Sequence, residues 1–336
     1  MIGYYAHHVG TGHVARAAAI ARFLRSPITG LSSRERPPDW PGQWVMLARD
    51  DEPAPSPNAD VTAGGTLHWA PLRHDGLRMR MAQIADWIGR TGPALLVADV
   101  SVEVAALARL MGVPVVVVAL PGIRDDAAHR LAYLQACAVI AAWPRWVQIP
   151  REMSFLAGKL HHVGAFSSAD GRAAVGRSRE PGSRRRVLLL AGGGGTAIDS
   201  AQVASARAAT LDWSWRELGP PNGRWIADPW PELCTAEVVV THAGQTAIAE
   251  VAAARRSAIV LPQRRPYREQ HHTADVLERA GLAIVRRSWP EPEDWPQLLD
   301  DATRRGGEGW HRWAPGDGAQ RAAALLDRWA GEPPVP

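Results

Sequence analysis

The chain has 336 residues, of which 46% are hydrophobic and 21% charged, with a net charge of +4. That length exceeds a single core, and the composition excludes disorder over most of the chain. No apolar run approaches the ~20 residues of a membrane helix, no leader-like segment opens the chain, and two cysteines, Cys137 and Cys234, cannot build a disulfide framework, so a cytoplasmic location is expected.

In chain order, residues 1–6 read as a strand, followed by a glycine-bearing turn and an Ala-rich helix over 14–24. Residues 43–48 read as the second strand and 51–57 as a Pro-rich loop. A buried strand over 95–100, a helix over 102–111, a buried strand over 113–120 with Pro114 at its start, and a strand over 139–142 follow. Residues 167–186, rich in Ser, Gly, Arg and Ala, carry no sustained apolar period. The pattern restarts with a strand over 187–191, a glycine run and a helix over 197–209. Later strands are expected at 237–241, 258–261 and 282–285, with helices at 246–254 and 269–280, a last helix at 318–330 and a frayed tail at 332–336.

Apolar strands alternating with helices predict an α/β protein of two doubly wound, Rossmann-like domains facing a cleft. The expected boundaries are a first domain at 1–165, a linker at 166–186, a second domain at 187–317, and a C-terminal helix and tail at 318–336. Ligands of such sheets sit beyond the carboxyl ends of the strands. The basic excess is almost all Arg, with Lys159 the only lysine. Its tightest cluster, Arg184 to Arg186, has no interleaved aromatics, so nucleic acid is not an expected partner.

Three groups of residues fall at such strand ends. The first is Gly10-Thr11-Gly12-His13-Val14-Ala15-Arg16, between the first strand and the first helix. Its glycines open the backbone to a ligand, the helix start favours negative charge, and His13 is either a general base or a solvent-facing loop histidine. Gly10-x-Gly12-x-x-Ala15 also fits a dinucleotide fingerprint, but the acids expected to end the second strand, Asp50 and Asp51, come too late for it. The second group is Gly192, Gly193, Gly194, Gly195 and Thr196, a phosphate cradle or a flexible loop. The third runs from 225 to 270. His242, Gly244 and Thr246 offer donors to a phosphate, Glu250 lies one helical turn on and suits a ribose diol, and Glu269 and Gln270 suit sugar hydroxyls.

The order His242-x-Gly244, Glu250, Pro262, Glu269-Gln270 resembles the donor site of GT-B glycosyltransferases. The family-28 group is the nearest resemblance. It includes the enzyme that adds N-acetylglucosamine to the lipid-linked peptidoglycan precursor. Gly-x-Gly-His13 and the loop from Gly192 to Thr196 match the same group. The resemblance implies that the first domain binds the acceptor, with Gly10, Thr11 and Gly12 on the acceptor side, and the second binds the nucleotide sugar. Ile226 would meet the base through its backbone. The glycine loop, His242, Gly244, Gln245 and Thr246 would hold the diphosphate, Glu250 the ribose, and Glu269 and Gln270 the transferred sugar. Glu269 stands where the group often has Gln or Asp, and Thr273 where it often has Asn, so the sugar itself is not defined.

The implied reaction is inverting transfer of a hexose from a UDP- or TDP-sugar to an acceptor hydroxyl, with His13 as base. Asp99, at the end of a buried strand, either orients the imidazole or caps the helix that begins near Ser101. Helix N-termini, glycine-loop N–H groups and His242 would stabilise the leaving diphosphate, and neither metal nor other cofactor is expected. The pairs His7-His8, His161-His162 and His271-His272 lack ligand spacing. Alternatives are a nucleotide-sugar hydrolase or epimerase of the same fold, a nicotinamide-dependent oxidoreductase, and a non-catalytic nucleotide-sugar binder. The acceptor, small or lipid-linked, is not specified. Trp40, Trp44, Trp69 and Trp87 either stack on it or serve as packing residues. Weak membrane association would accompany a lipid-linked acceptor, though no amphipathic anchor helix is visible.

Overall fold

The computed structural model describes residues 1–172, 184–192, 195–224, 226 and 228–332. Gly193, Gly194, the middle of the expected linker and the end of the tail lie outside the described residues. The chain forms two compact units, 1–163 with 318–336, and 164–317.

The first unit opens with β1 (Ile2–Ala6), α1 (Gly12–Ala21), β2 (Ile28–Ser32) and β3 (Gln43–Met46). Then come α2 (Asp75–Thr91), β4 (Leu95–Asp99), α3 (Val102–Leu110), β5 (Val115–Ala119), α4 (Ala127–Gln135), β6 (Ala138–Ala141) and β7 (Leu160–His162). Seven parallel strands lie in the order β3-β2-β1-β4-β5-β6-β7. The order reverses between β1 and β4, where Ala6 pairs with Asp99. β1, β4 and β5 are buried along their whole length, which is why they read as unbroken apolar runs.

The second strand differs from expectation. It is β2, which carries Gly30 at its centre, while residues 43–46 form a partly exposed edge. Gly30 is required by packing: a Cβ there would stand 2.1 Å from Trp44 Cε3. Trp40 is nearly fully buried beside it and donates through Nε1 to Gln43 O, so these two rings serve packing. β2 ends on Ser32, followed by Ser33 and Arg34. The position where an NAD fingerprint carries its ribose-binding acid is thus a serine, and Asp50 and Asp51 lie beyond β3.

The second unit contains β8 (Arg185–Leu190), α5 (Ser200–Ala209), β9 (Trp213–Leu218), α6 (Trp230–Thr235), β10 (Val238–Thr241), α7 (Gln245–Ala253), β11 (Ser257–Val260), α8 (Glu269–Arg279), β12 (Ile284–Val285) and α9 (Trp295–Arg305). Its five strands are parallel in the order β12-β11-β10-β8-β9, with the reversal between β10 and β8. Val187, Leu189, Val238, Val240 and Ile259 pack against Val203, Trp295, Leu298 and Leu299 to form the core on one face. Residues 164–165, expected to end the first domain, and residues 166–172, expected to open the linker, pack within this unit. Ala165, Phe166 and Ala169 are buried, and the Ala165 N–H donates to Trp313 O.

The last helix, α10 (Gly318–Gly331), belongs to the first unit. It packs on α1, its Asp327 carboxylate accepts from the N–H groups of Arg25 and Ser26, and Trp329 meets His161 edge to face.

Candidate functional site

At the reversal point of the first sheet, β1 runs into Gly10, whose φ of 77° needs a residue without a Cβ, and then into α1. His13 sits in the first turn of that helix and Asp99 ends the neighbouring strand. His13 Nδ1 and Asp99 Oδ1 are 2.9 Å apart. Since a carboxylate only accepts, Nδ1 carries the proton and Nε2 keeps the lone pair a base needs.

Asp99 is fully buried. Its Oδ2 accepts from the Tyr4 hydroxyl at 3.1 Å and from Arg16 Nε at 3.0 Å, and Arg16 Nη2 also donates to Oδ1 at 3.3 Å. Burial pushes the Asp99 pKa up, but Arg16 and His13 more than offset this and hold it below the usual carboxylate range. The helix after β4 is capped by Ser101, whose Oγ accepts from the Val104 N–H, so Asp99 is not the cap. Between them Val100 has a φ of 69°, a left-handed conformation that is strained for a β-branched residue.

His7 and His8 form a stacked pair behind this group, and His7 lies 5.9 Å from His13 between ring centroids. Burial, and after it the neighbouring His13, push the His7 pKa down to about 3. Two histidine–aspartate groups escape a reading of adjacent pairs. His8 Nε2 lies 3.6 Å and 3.4 Å from Asp50 and Asp51, but Arg80 and Arg49 already ion-pair with these carboxylates. His68 and His129 flank Asp126, and Arg124 Nη1 sits 3.2 Å from His129 Nε2. Each group thus also touches a guanidinium.

In the second unit, Thr196 and His242 stand at the reversal point between β8 and β10. His242 Nδ1–H donates to Leu261 O at 2.8 Å, so Nε2 accepts the Thr196 hydroxyl at 2.9 Å. Thr196 Oγ1 in turn accepts from the Ile198 N–H. Burial pushes the His242 pKa down. As placed, this histidine secures the end of the glycine loop and reaches a phosphate as a donor only by taking up a proton.

A cavity of about 550 Å³ opens here, lined by Gly195, Thr196, His242, Gln263, Arg264, Arg265, Arg287 and Trp289 among others. Arg265 Nη2 donates to Gly195 O and to Gln263 Oε1. Nothing local in the sequence ties residues 264, 265 or 287 to the glycine loop, and the Arg265 bond to Gly195 spans 70 positions.

Gly244 is the N-cap of α7, which has no side-chain cap and no acid in its first turn, and Gln245 and Thr246 open the helix. The carboxyl group of Glu250, one turn beyond, has no hydrogen-bond partner among the described residues. Burial, helped by Asp228, pushes its pKa up to about 7. Asp228 is held by Arg172 in a forked ion pair. Ile226 is half-buried and lies outside the cavity lining, as do Glu250, Glu269 and Gln270.

Glu269 begins α8 after two successive left-handed residues, Tyr267 and Arg268. Gln270 is buried, and its Oε1 accepts from the Gln263 N–H at 2.9 Å. It therefore clamps the loop that lines the cavity through Oε1. The Thr273 hydroxyl donates back to Glu269 O.

Residues 231–302 match the glycosyltransferase family 28 C-terminal domain. A curated relative is the UDP-N-acetylglucosamine–N-acetylmuramyl-(pentapeptide) pyrophosphoryl-undecaprenol N-acetylglucosamine transferase of Acidiphilium cryptum. It is 35% identical over 103 residues, which is 31% of this chain and 26% of the relative. Among solved structures, the glycosyltransferase of kitacinnamycin is similar over 97% of this chain and 98% of its own, with a TM-score of 0.70 at 16% identity. A UDP-glucosyltransferase from Polygonum tinctorium is similar over 98% and 99%, with a TM-score of 0.69 at 13% identity. The chain has the two-domain GT-B fold of these glycosyltransferases, and the stretch similar to family 28 lies within its second unit.

Proposed function

We propose that the protein is an inverting glycosyltransferase that moves a hexose from a UDP- or TDP-sugar to an acceptor hydroxyl. The observation that carries this reading is the His13–Asp99 pair. It presents an imidazole with its Nδ1 proton fixed and its Nε2 free, at the strand ends where ligands of this fold bind. In the reading, Nε2 takes the proton of the acceptor hydroxyl as its oxygen attacks the anomeric carbon, and the nucleoside diphosphate leaves.

The second unit is assigned the donor. The uncapped start of α7, the Gly192 and Gly195 backbone, and Arg264 and Arg265 meet the diphosphate, Glu250 the ribose diol, and Glu269 and the Gln270 amide nitrogen the sugar. Those cations and helix N–H groups give the leaving group its charge stabilisation without a metal. The relatives' names support the donor class, since one uses UDP-N-acetylglucosamine and another is a UDP-glucosyltransferase. A cytoplasmic setting and a small or lipid-linked acceptor belong to the same reading. No helix among the described residues is long and apolar enough to cross a membrane.

A panel of nucleotide sugars scored by thermal shift tests it. A donor at 100 times its dissociation constant stabilises the fold by roughly 2.7 kcal/mol. Stabilisation by a UDP- or TDP-sugar, followed by transfer to members of an acceptor panel, supports the reading. Release of free sugar with no acceptor identifies a hydrolase, and a panel without any shift sinks the donor assignment.

A further inference from the structure

We propose that Arg16 is a positioning residue that keeps the His13–Asp99 pair deprotonated, and so able to act as a base, at neutral pH. This rests on the reading of His13 as the base. Arg16 lies one helical turn after His13 and reaches the same carboxylate. Its Nε donates to Asp99 Oδ2 at 3.0 Å and its Nη2 to Oδ1 at 3.3 Å, while Nη2 is 3.2 Å from His13 Nδ1.

The groups facing the pair come from three elements and one loop. β1 contributes the Tyr4 hydroxyl, α1 contributes Arg16, and β4 contributes Asp99 itself. The loop after β1 contributes His7, which stays neutral through the working range, with His8 and Arg80 behind it. Arg16 is therefore the cation in direct contact with the pair. Asp99 has no exposure to water, so its charge is balanced by protein groups alone.

The consequence follows from charge. With Arg16 present, the buried carboxylate is neutralised without the imidazole becoming charged. A neutral amide in its place leaves Asp99, among the described residues, with Tyr4 and His13. A fully buried carboxylate then regains a counter-charge when the pair takes up a proton, as an imidazolium beside a carboxylate or as a carboxylic acid. A pair that already holds this proton cannot accept one from the acceptor.

The test needs neither donor nor acceptor. The His13 Cε1 and Asp99 Cγ resonances are followed by NMR from pH 4 to 9 in the full-length protein. In Arg16→Gln, the midpoint at which the pair takes up its proton is expected to rise by about 1–3 pH units, the usual reach of an adjacent guanidinium. Arg16→Lys, which keeps the charge, is expected to titrate as the parent does. If Arg16→Gln does not fold, Arg16→Met, which keeps an apolar stem, takes its place. Failure of both neutral variants alongside a folded, parent-like Arg16→Lys also supports a need for the charge beside Asp99. A neutral variant that titrates with the parent overturns the proposal, as does a lysine variant that shifts as far as the glutamine one. Absence of transfer activity would overturn the function reading but would not move these resonances.

Discussion

Glu250 stands in the second turn of α7 with a carboxyl group that makes no hydrogen bond among the described residues and a pKa pushed up to about 7 by burial and Asp228. A ribose diol is best held by the ionised form, so nucleotide binding must draw off the proton that this group holds below pH 7. Each pH unit below 7 then removes about tenfold of the ionised form. The affinity of the parent for UDP is therefore expected to rise from pH 6 to pH 8, relative to Glu250→Gln, in which this component is lost. At pH 8 the variant binds UDP more weakly by about 1.5–3 kcal/mol. Titration calorimetry on both proteins, where the ligand's own ionisation cancels, checks this; parallel pH profiles would remove Glu250 from the nucleotide site. The same raised value has a consequence for stability. Between its ordinary value of 4.5 and about 7 the folded state binds the extra proton, so the Glu250 contribution falls as pH rises through this window. Urea unfolding of Glu250→Gln at pH 5 and pH 8 is expected to show a smaller loss than the parent. For His13, kcat/KM with a working acceptor is expected to fall about 10²–10⁴-fold in His13→Ala while donor affinity holds. A variant within threefold of the parent, as a rough bound, would leave the base unidentified.

At the scale of elements, the glycine in β2 carries the clearest prediction. Gly30→Ala would drive a Cβ against the Trp44 ring, and the ring is confined by Trp40. Overpacking of this kind costs about 1–3 kcal/mol, so a lower thermal midpoint is expected. An unchanged midpoint would mean that the edge strand moves freely. The same glycine explains why this strand was hard to read. β4, β5, β10 and β11 are buried on both faces and announce themselves as runs of Val, Leu, Ile and Ala. β2 interrupts its run with Gly30 and ends in Ser, and β9 alternates Trp and Leu with Ser, Arg and Glu, so neither has the same signal. The candidate site residues follow a similar division. His13, Asp99 and His242 were legible because each closes a strand or opens a helix, which the alternation of elements places at one end of a sheet. The Arg16 bond to Asp99 spans 83 positions and the Arg265 bond to Gly195 spans 70, so only the fold reveals them. Likewise Gln270 reads as a sugar ligand from its place in the chain, and its clamp on Gln263 becomes visible only with the turn built.

At the scale of the whole molecule, the chain leaves its first unit after Val163, completes the second, and returns to the first through α10. The helix packs on α1, its Ala319, Ala322, Leu326 and Trp329 are nearly without exposure, and Trp329 meets His161 of the first unit. Burying side chains the size of Leu and Trp contributes roughly 1.5–3 kcal/mol each, a large part of the roughly 5–15 kcal/mol that holds a domain together. Asp327 adds two charge-assisted bonds, to the Arg25 and Ser26 N–H groups that follow α1. α1 also carries His13 and Arg16, so the far end of the chain supports the helix that positions the proposed base. Removal of residues 318–336 is therefore expected to weaken the first unit and leave the second, whose core on the face of α5 and α9 contains nothing from α10 among the described residues. Hydrogen exchange resolves the two. Amides of β1, β2 and β4 should lose protection in the truncated chain while those of β8, β10 and β11 keep it, and UDP affinity should stay near that of the parent. A truncated chain with full protection across β1 and β4 would show that α10 only covers the first unit. Loss of protection in both units together would show that the two fold as one cooperative block.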